Sequence, residues 1–435
     1  MRPALRPALA ALLLGALPPR AIAQQRDSLA LAALHAAALA RDARAAERPL
    51  LDQASMLRTT TIGDAWKPQA TVSAYAQHQS DVTRVALALP GASIPVPPLD
   101  RYAAQVEVSQ LLYDGGVAGA RRGIERAALA EQQAAVGAAL QPVRDEVTRT
   151  FFGALLAQAR EAQLALAAQD LEALLADTRA RFRAGSALPR DTAQVRAQWR
   201  RTQAQLAEAR GARQAARANL ARLTGADTTA PLALPAWGGV VDAVRAAGAE
   251  TPRGRPEFER WARARERLAE EAALTASDNR PRVVAFAQGG VGRPGLNQFK
   301  PDADTYYVAG VRVEWRPWTW GSAPRAREAA AVQQQLLARE EAALAAQLAR
   351  AVEGDLADVD RLRRQLADDD EVIALREVAW RAGDAQRREG AITAAEATDL
   401  RTDLLEARLT RDQHRIELAQ CEARILTTLG LVPRS

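Results

Sequence analysis

The sequence predicts a mainly α-helical protein that contributes strands to a membrane β-barrel, and three observations carry that prediction. The chain is written twice. Leu112-Tyr113-Asp114-Gly115-Gly116 opens a long Ala/Leu/Arg/Glu-rich run, and Pro317-Trp318-Thr319-Trp320-Gly321 opens another 205 residues later (321 − 116). The same offset joins Val106 to Val311, Val108 to Val313, Gly185 to Gly390 and Gly225 to Gly430. Each run follows a pair of segments that alternate with period two, as barrel strands do. The composition, 48% hydrophobic but only 4% aromatic, belongs to long helices rather than to a compact mixed core. Repetition on this scale decides the architecture before any single residue does.

Met1 to Ala23 reads as a secretory signal: Arg2 and Arg6 form a basic start, Ala8 to Leu17 is apolar but too short to span a bilayer, and Ala21-Ile22-Ala23 offers a small-x-small cleavage site. The first repeat takes 24–225. It opens with a helix from Leu29 to about Thr61, for which Ser28 is a fair N-cap, and Trp66-Lys67-Pro68 breaks that helix. A β-hairpin follows over about 68–112. In it Ala70, Val72, Ala74 and Ala76 oppose Thr71, Ser73, Tyr75 and Gln77, and Tyr102, Ala104, Val106 and Val108 oppose Ala103, Gln105, Glu107 and Ser109. A helical hairpin over about 117–225 completes the repeat. Its first arm runs from Val117 to Ala184, interrupted only by Pro142, with Val143, Val147, Phe151 and Leu155 at four-residue spacing. A helix of that length would reach about 100 Å, which suits a coiled coil or a tunnel wall. Gly185 stops it, and Pro189 suits the first turn of the return.

Residues 226–237, with Pro231 and Pro235, form a linker to the second repeat, 238–435. That repeat brings a helix (Glu257 to Ala276), a β-hairpin over about 281–316 and a helical hairpin over about 322–430. Leu348, Val352 and Leu356 stand 205 residues from Val143, Val147 and Phe151, so the apolar seam recurs in register. Pro142 has no twin, since its counterpart is Gln347. Four strands cannot close a barrel, and an open sheet edge is not tolerated in lipid. Strands that span a membrane therefore require several copies of the chain; three copies make twelve strands, an allowed even number.

Other classes are weakly supported. Net charge is +6, with arginines spread along the helices and only Lys67 and Lys300 as lysines, so nothing resembles a nucleic-acid footprint. His35, His78 and His414 are scattered, without zinc-type pairing. The run Asp368-Asp369-Asp370-Glu371 lacks the ligand alternation and glycine of a calcium loop and reads as a solvated helix face. No serine sits in a nucleophile elbow and no glycine loop resembles a phosphate cradle. We expect no catalytic residue, no metal and no cofactor. Cys421, the single cysteine, reads as a small buried residue.

On the duplication, on Leu112 to Gly116 with Pro317 to Gly321, on Arg183-Ala184-Gly185 with Arg388-Glu389-Gly390, and on the closing Leu223-Thr224-Gly225 and Leu429-Gly430, the chain resembles the TolC family of outer-membrane efflux proteins, also called outer membrane factors. The resemblance covers essentially all of the mature chain. It implies a homotrimer with a twelve-stranded β-barrel in the outer membrane and a long twelve-helix α-barrel across the periplasm. Such a trimer is the passive exit duct of a tripartite efflux pump, partnered by a periplasmic adaptor and an inner-membrane transporter. The same fold serving type I protein secretion is the alternative, and a periplasmic coiled-coil adaptor fits the two strand pairs poorly.

The resemblance also implies site residues. Acids at Glu396 and Asp399, three apart on one helix face, would form the cation-attracting ring of the periplasmic gate, with Asp191 the twin of Glu396 in the first copy. The tips at Gly185, Ser186, Gly390 and Ala391 would meet the adaptor. Trp315, Trp318, Trp320 and Tyr113 would lie in an interfacial aromatic belt against outer-membrane lipid.

Overall fold

The computed structural model describes residues 30–83, 96–227, 229–247, 254–277 and 279–431. The secretory-signal segment, Ser28, Pro90 and Pro95 lie outside the described residues. In chain order the elements are α1 (Leu31–Arg41), a 3-10 turn (Ala43–Ala46), α2 (Glu47–Asp64), β1 (Gln69–His78), β2 (Asp100–Tyr113), α3 (Val117–Ala139), α4 (Gln141–Arg183), α5 (Pro189–Thr224), α6 (Gly238–Ala247), α7 (Pro256–Ser277), β3 (Arg282–Arg293), β4 (Asp304–Glu314), α8 (Ser322–Glu389) and α9 (Ala394–Thr428). The fold is mainly helical, with one four-stranded antiparallel sheet in the order β1-β2-β3-β4.

The duplication is visible in the backbone. Left-handed residues recur at the same offset: Gly115 with Trp320, Gly116 with Gly321, Gly185 with Gly390, Gly225 with Gly430. The hairpin registers recur too. Gln69 pairs Ser109 in the first copy, and Arg282 pairs Glu314 in the second. Even a side-chain cap repeats: the Gln110 amide donates to the Trp66 carbonyl, and the Trp315 indole N–H donates to the Asn279 carbonyl at 2.9 Å.

Three sequence expectations need correction. The helix read from Leu29 to Thr61 is two helices. Asp42, in an extended conformation, accepts from the Arg44 N–H at 2.9 Å and caps a new start. The stretch read from Val117 to Ala184 is also two helices, divided at Leu140. Pro142 lacks an N–H and its ring crowds the carbonyl of Ala138, so the helix can resume only with Pro142 in a first turn. Arg44, clamped by both Asp42 oxygens, donates to the Ala139 carbonyl at 2.6 Å, a group the break leaves without a helical donor. Its twin α8 runs unbroken for 68 residues. The short helix α6 was missed by periodicity.

The described chain forms two compact units. One takes Met1–Arg41, Pro142–Glu250 and Ala351–Ser435; the other takes Asp42–Gln141 and Thr251–Arg350. In the first, Val147, Phe151, Phe152, Val195 and Leu220 are fully buried, as are Val352, Val359, Leu362 and Ile425. Cys421 is buried against Val352, Val359 and Ile425, and burial pushes its thiol up to about 11. The linker packs rather than hangs free: the Gln158 side-chain amide brackets the Leu232 backbone, donating to its carbonyl at 3.0 Å and accepting its N–H at 3.2 Å. In the second unit the sheet adjoins α3, which packs along α7 and α2. Among the described residues no helix is long and apolar enough to cross a membrane.

Candidate functional site

Two regions carry the features the sequence singled out. The first is the pair of helix–turn–helix tips. Gly185 and Gly390 close the ends of α4 and α8 in left-handed turns, with Ser186 N–H bonded back to the Arg181 carbonyl at 2.9 Å and Ala391 N–H to the Gln386 carbonyl at 2.8 Å. Gly185, Ser186, Gly390 and Ala391 are all exposed, and a cleft of about 570 Å³ runs between the tips.

What ties the tips together was not legible in the sequence. Arg181 donates to the carbonyls of Arg387 at 3.0 Å and Arg388 at 3.2 Å, neutralising the negative end of α8. Arg387, only 8% exposed, donates in return to Asp177 at 2.6 Å and Asp384 at 2.9 Å. Burial works against that charge, but the bonds to Asp177 and Asp384 outweigh it, and the Arg387 guanidinium is held more firmly protonated than usual. The spacings Asp177–Arg181 and Asp384–Arg387 suggest only local helix pairs; the exchange between copies comes from folding.

Asp191 and Glu396 occupy twin positions and do the same local work. Each is the third residue of its helix. The Asp191 carboxylate accepts the Leu188 N–H at 3.0 Å, and Glu396 accepts the Thr393 N–H at 2.8 Å while its own N–H donates to the Thr393 hydroxyl at 3.2 Å. The Thr393 N–H, then its hydroxyl, hold the Glu396 carboxyl below the usual range. Asp191 is buried, whereas Glu396 is exposed. Asp399, one turn on, is exposed and makes no hydrogen bond or ion pair with any described residue.

The second region is the sheet, whose two faces differ. Val72, Val106, Val108, Val291, Tyr307, Val311 and Val313 are exposed and share one face. The opposite face carries Gln105, Gln288, Tyr306 and Arg312. There Gln105 accepts from the Gln288 amide and from the Tyr306 hydroxyl at 2.9 Å, and Arg312 lies 4.9 Å over the Phe286 ring. A register shift at Leu112 sets Tyr113 opposite Val283, moving its ring onto the apolar face at the end where Trp315 stands. Trp318 and Trp320 lie beyond β4, edge to face at 5.9 Å, both exposed. Among the described residues β1 and β4 are open edges.

Residues 19–226 match the sequence model of the outer membrane efflux proteins. Over those residues, which hold the whole first repeat, the chain matches the outer membrane efflux protein family. Three solved structures show that its fold is that of the TolC-like channels. One is CusC, a protein described as forming a transmembrane channel (15% identity, 92% of each chain covered, TM-score 0.65). Another is the outer membrane protein VceC of Vibrio cholerae (14%, 92% of this chain and 96% of that, 0.62). The third is the open state of the outer membrane channel MtrE of Neisseria gonorrhoeae (16%, 92% and 89%, 0.62). No curated protein matches the chain significantly. Channels of the outer membrane efflux family are transport ducts rather than enzymes. In the acidic run Asp368, Asp370 and Glu371 are exposed, as on a solvated face, while Asp369 pairs with His414 at 2.6 Å and Asp370 with Arg411 at 3.1 Å.

Proposed function

We propose that this protein is the outer-membrane exit duct of a tripartite efflux pump, acting as a homotrimer after cleavage of its signal near Ala23. The observation that carries the reading is the sheet: apolar on one face, polar on the other, and unpaired at both edges. Such a sheet satisfies its backbone in lipid only if neighbouring copies close it into a barrel. The polar face then lines water, and Tyr113, Trp315 and Trp318 sit at the interfacial level. The two repeats, 24–225 and 238–435 joined by 226–237, supply helical hairpins of matched length for a continuous wall. The tips at Gly185, Ser186, Gly390 and Ala391 meet a periplasmic adaptor, which links the duct to an inner-membrane transporter.

At the tips, Glu396 and Asp399 from each copy form the selectivity ring, since exposed carboxylates in a narrow aperture attract cations. Glu396 combines this with its capping role, and Asp399 is the freer charge. Asp191, buried in its own cap, holds the start of α5 at the first tip rather than facing the aperture.

The test is planar-bilayer recording on protein purified from outer-membrane extracts. A heat-labile trimer with its N-terminus at Gln24 and cation-preferring conductance is expected, and the preference weakens in Glu396→Ala/Asp399→Ala. A soluble monomer without conductance overturns the duct; an intact pore with unchanged selectivity overturns only the ring.

A further inference from the structure

On the polar face of the sheet one patch is not polar. Alternation and the pairing register place Leu111, Val284 and Arg312 in one row of that face, with Ser109, Phe286 and Gly310 in the row beside it. Leu111 is buried, while Val284 and Phe286 are half-buried. Further along the strands the same face is mainly hydrophilic: Gln105 holds Gln288 and Tyr306, and Thr71 stands opposite Glu107. A barrel strand turns polar side chains toward water and apolar ones toward lipid. Leu111, Val284 and Phe286 break that rule together, at the end of the sheet where β2 and β4 lead into α3 and α8.

The fold makes room for this patch. A Cβ added at Gly310 would lie 3.2 Å from two carbons of the Phe286 ring, so the missing side chain leaves the ring its seat across β4. The Arg312 guanidinium lies over that ring, 4.9 Å from its centroid. A guanidinium is planar and weakly hydrated, so it stacks on an aromatic face and keeps its in-plane N–H donors for other partners. Here those donors have no partner. Arg312 is exposed and makes no hydrogen bond or ion pair with any described residue. In the next row Glu314 stands opposite Arg282. This end of the face therefore sets Arg282 and Arg312 against Glu314 alone, and the apolar patch has a cationic rim.

We propose that the patch is a contact station for cargo inside the duct, and that it takes aromatic anions, meaning a ring that bears a carboxylate or a sulfonate. The cargo ring lies on Phe286 and Val284, and its anionic group meets the N–H donors of Arg312. Ring and guanidinium each match one half of such a molecule: offset stacking for the first, a forked pair of charge-assisted hydrogen bonds for the second. An aromatic cation would meet the cationic rim, and a small anion would gain nothing from the apolar surface. The patch is partly open to water, which suits a passive route, where cargo is held well enough to enter and weakly enough to leave. The inference rests on the proposed duct, in which the polar face lines water, and it gives that duct a class of cargo.

The experiment is planar-bilayer recording on the full-length protein with naphthalenesulfonate in the bath. Methanesulfonate supplies the anion without the ring, and naphthylmethylammonium supplies the ring with the opposite charge. Naphthalenesulfonate should block the current reversibly, with a half-blocking concentration about tenfold or more below that of either control. Arg312→Gln and Phe286→Leu should each raise that concentration by about five- to tenfold. Arg312→Lys should recover only part of the block, since an ammonium cannot stack flat on the ring. Phe286→Leu keeps the apolar bulk, so the two positions test the patch independently. Equal block by methanesulfonate assigns the effect to charge alone and overturns the station, as does an unchanged block in Arg312→Gln and Phe286→Leu. A conducting trimer that naphthalenesulfonate does not block overturns the station and leaves the duct standing. A soluble monomer without conductance overturns both.

Discussion

The two helical hairpins differ where their apolar seams should match. In the first, Leu164, Ala168, Leu206 and Ala209 form a buried cluster between α4 and α5. In the second, the residues 205 further on are Asp369, Ile373, Arg411 and His414. There α8 and α9 are joined by the Asp369–His414 hydrogen bond at 2.6 Å and by ion pairs: Asp370–Arg411 at 3.1 Å, Glu377–Arg408 at 2.7 Å and Arg363–Glu422 at 3.5 Å. Nearer the start of each long arm the seams agree, since Val143, Val147 and Phe151 match Leu348 and Val352 as buried residues with Leu356 packed beside them. So one backbone geometry is held by two kinds of force. Apolar burial is not weakened by charge screening, whereas partly exposed pairs are screened and individually weak. The second hairpin is the one whose cohesion the surroundings can tune.

That contrast can be broken most directly by Leu164→Asp, which imports the second hairpin's acid without its cation. A buried charge left alone should destabilise the chain by about 3–5 kcal/mol in urea unfolding followed by helical signal, and a loss under about 1 kcal/mol would dissolve the distinction.

Acid should separate the copies next. His35 is buried, with its Nε2 2.9 Å from the Thr148 hydroxyl. That hydroxyl already donates to the Arg144 carbonyl at 2.9 Å, so the His35 ring must be the donor, neutral and protonated at Nε2. Burial, then the Arg144 charge, lower it from 6.5 to about 4. The folded state thus resists protonation, and the stability from neutral His35 is complete above 6.5 and lost as pH falls toward 4. Glu377 is shifted the same way, through the Arg408 bond; its contribution is present above the ordinary carboxylate value of 4.5 and fades only below it. Protection of α1 amides against hydrogen exchange should therefore fail at higher pH than protection of α8 and α9, and His35→Phe should abolish the earlier step.

A smaller effect is expected from Asp369→Leu/His414→Ala, which converts the second cluster toward the first. Stability should change by less than about 1 kcal/mol, in either direction, while the salt dependence of α8–α9 exchange diminishes. A double-mutant cycle with Asp369→Leu and His414→Ala alone gives the pair's coupling. The smallest expected change is Pro142→Gln, installing the twin residue. Pro142 already sits in a first turn where no N–H is needed, so stability should move by about 1 kcal/mol or less. Spin-label distances across Leu140 would show whether the break persists. Persistence would assign it to the Arg44 clamp rather than to the proline.

Much of this was readable from residues. Offsets of 205 in the helical hairpins and alternation in the strands locate each long element, because left-handed turns and period-two faces impose local requirements. The boundary at Asp42 was missed because an N-cap within an Ala/Arg-rich stretch carries little periodic signal. The capping roles of Asp191 and Glu396 were present as an acid three residues after Leu188 and Thr393, but were read only as candidate ring charges. The acidic run is a largely solvated face, as read, with Asp368, Asp370 and Glu371 exposed, but its partners Arg411 and His414 were not legible because they lie more than forty residues away along the chain.

Sequence by itself determined the duplication, the matched hairpin lengths, the two-faced strands and the family resemblance that follows from them. These depend on near-neighbour rules: which residue can turn, which alternates, which ends a helix. Only the tertiary structure decided the rest. Arg181 crosses to the end of α8 while Arg387 crosses to Asp177, one apolar cluster has an ionic twin, and Trp320 stands where its counterpart is a glycine pressed against Arg280. Each of these is a contact between distant segments, whose sign depends on what the folded chain places opposite.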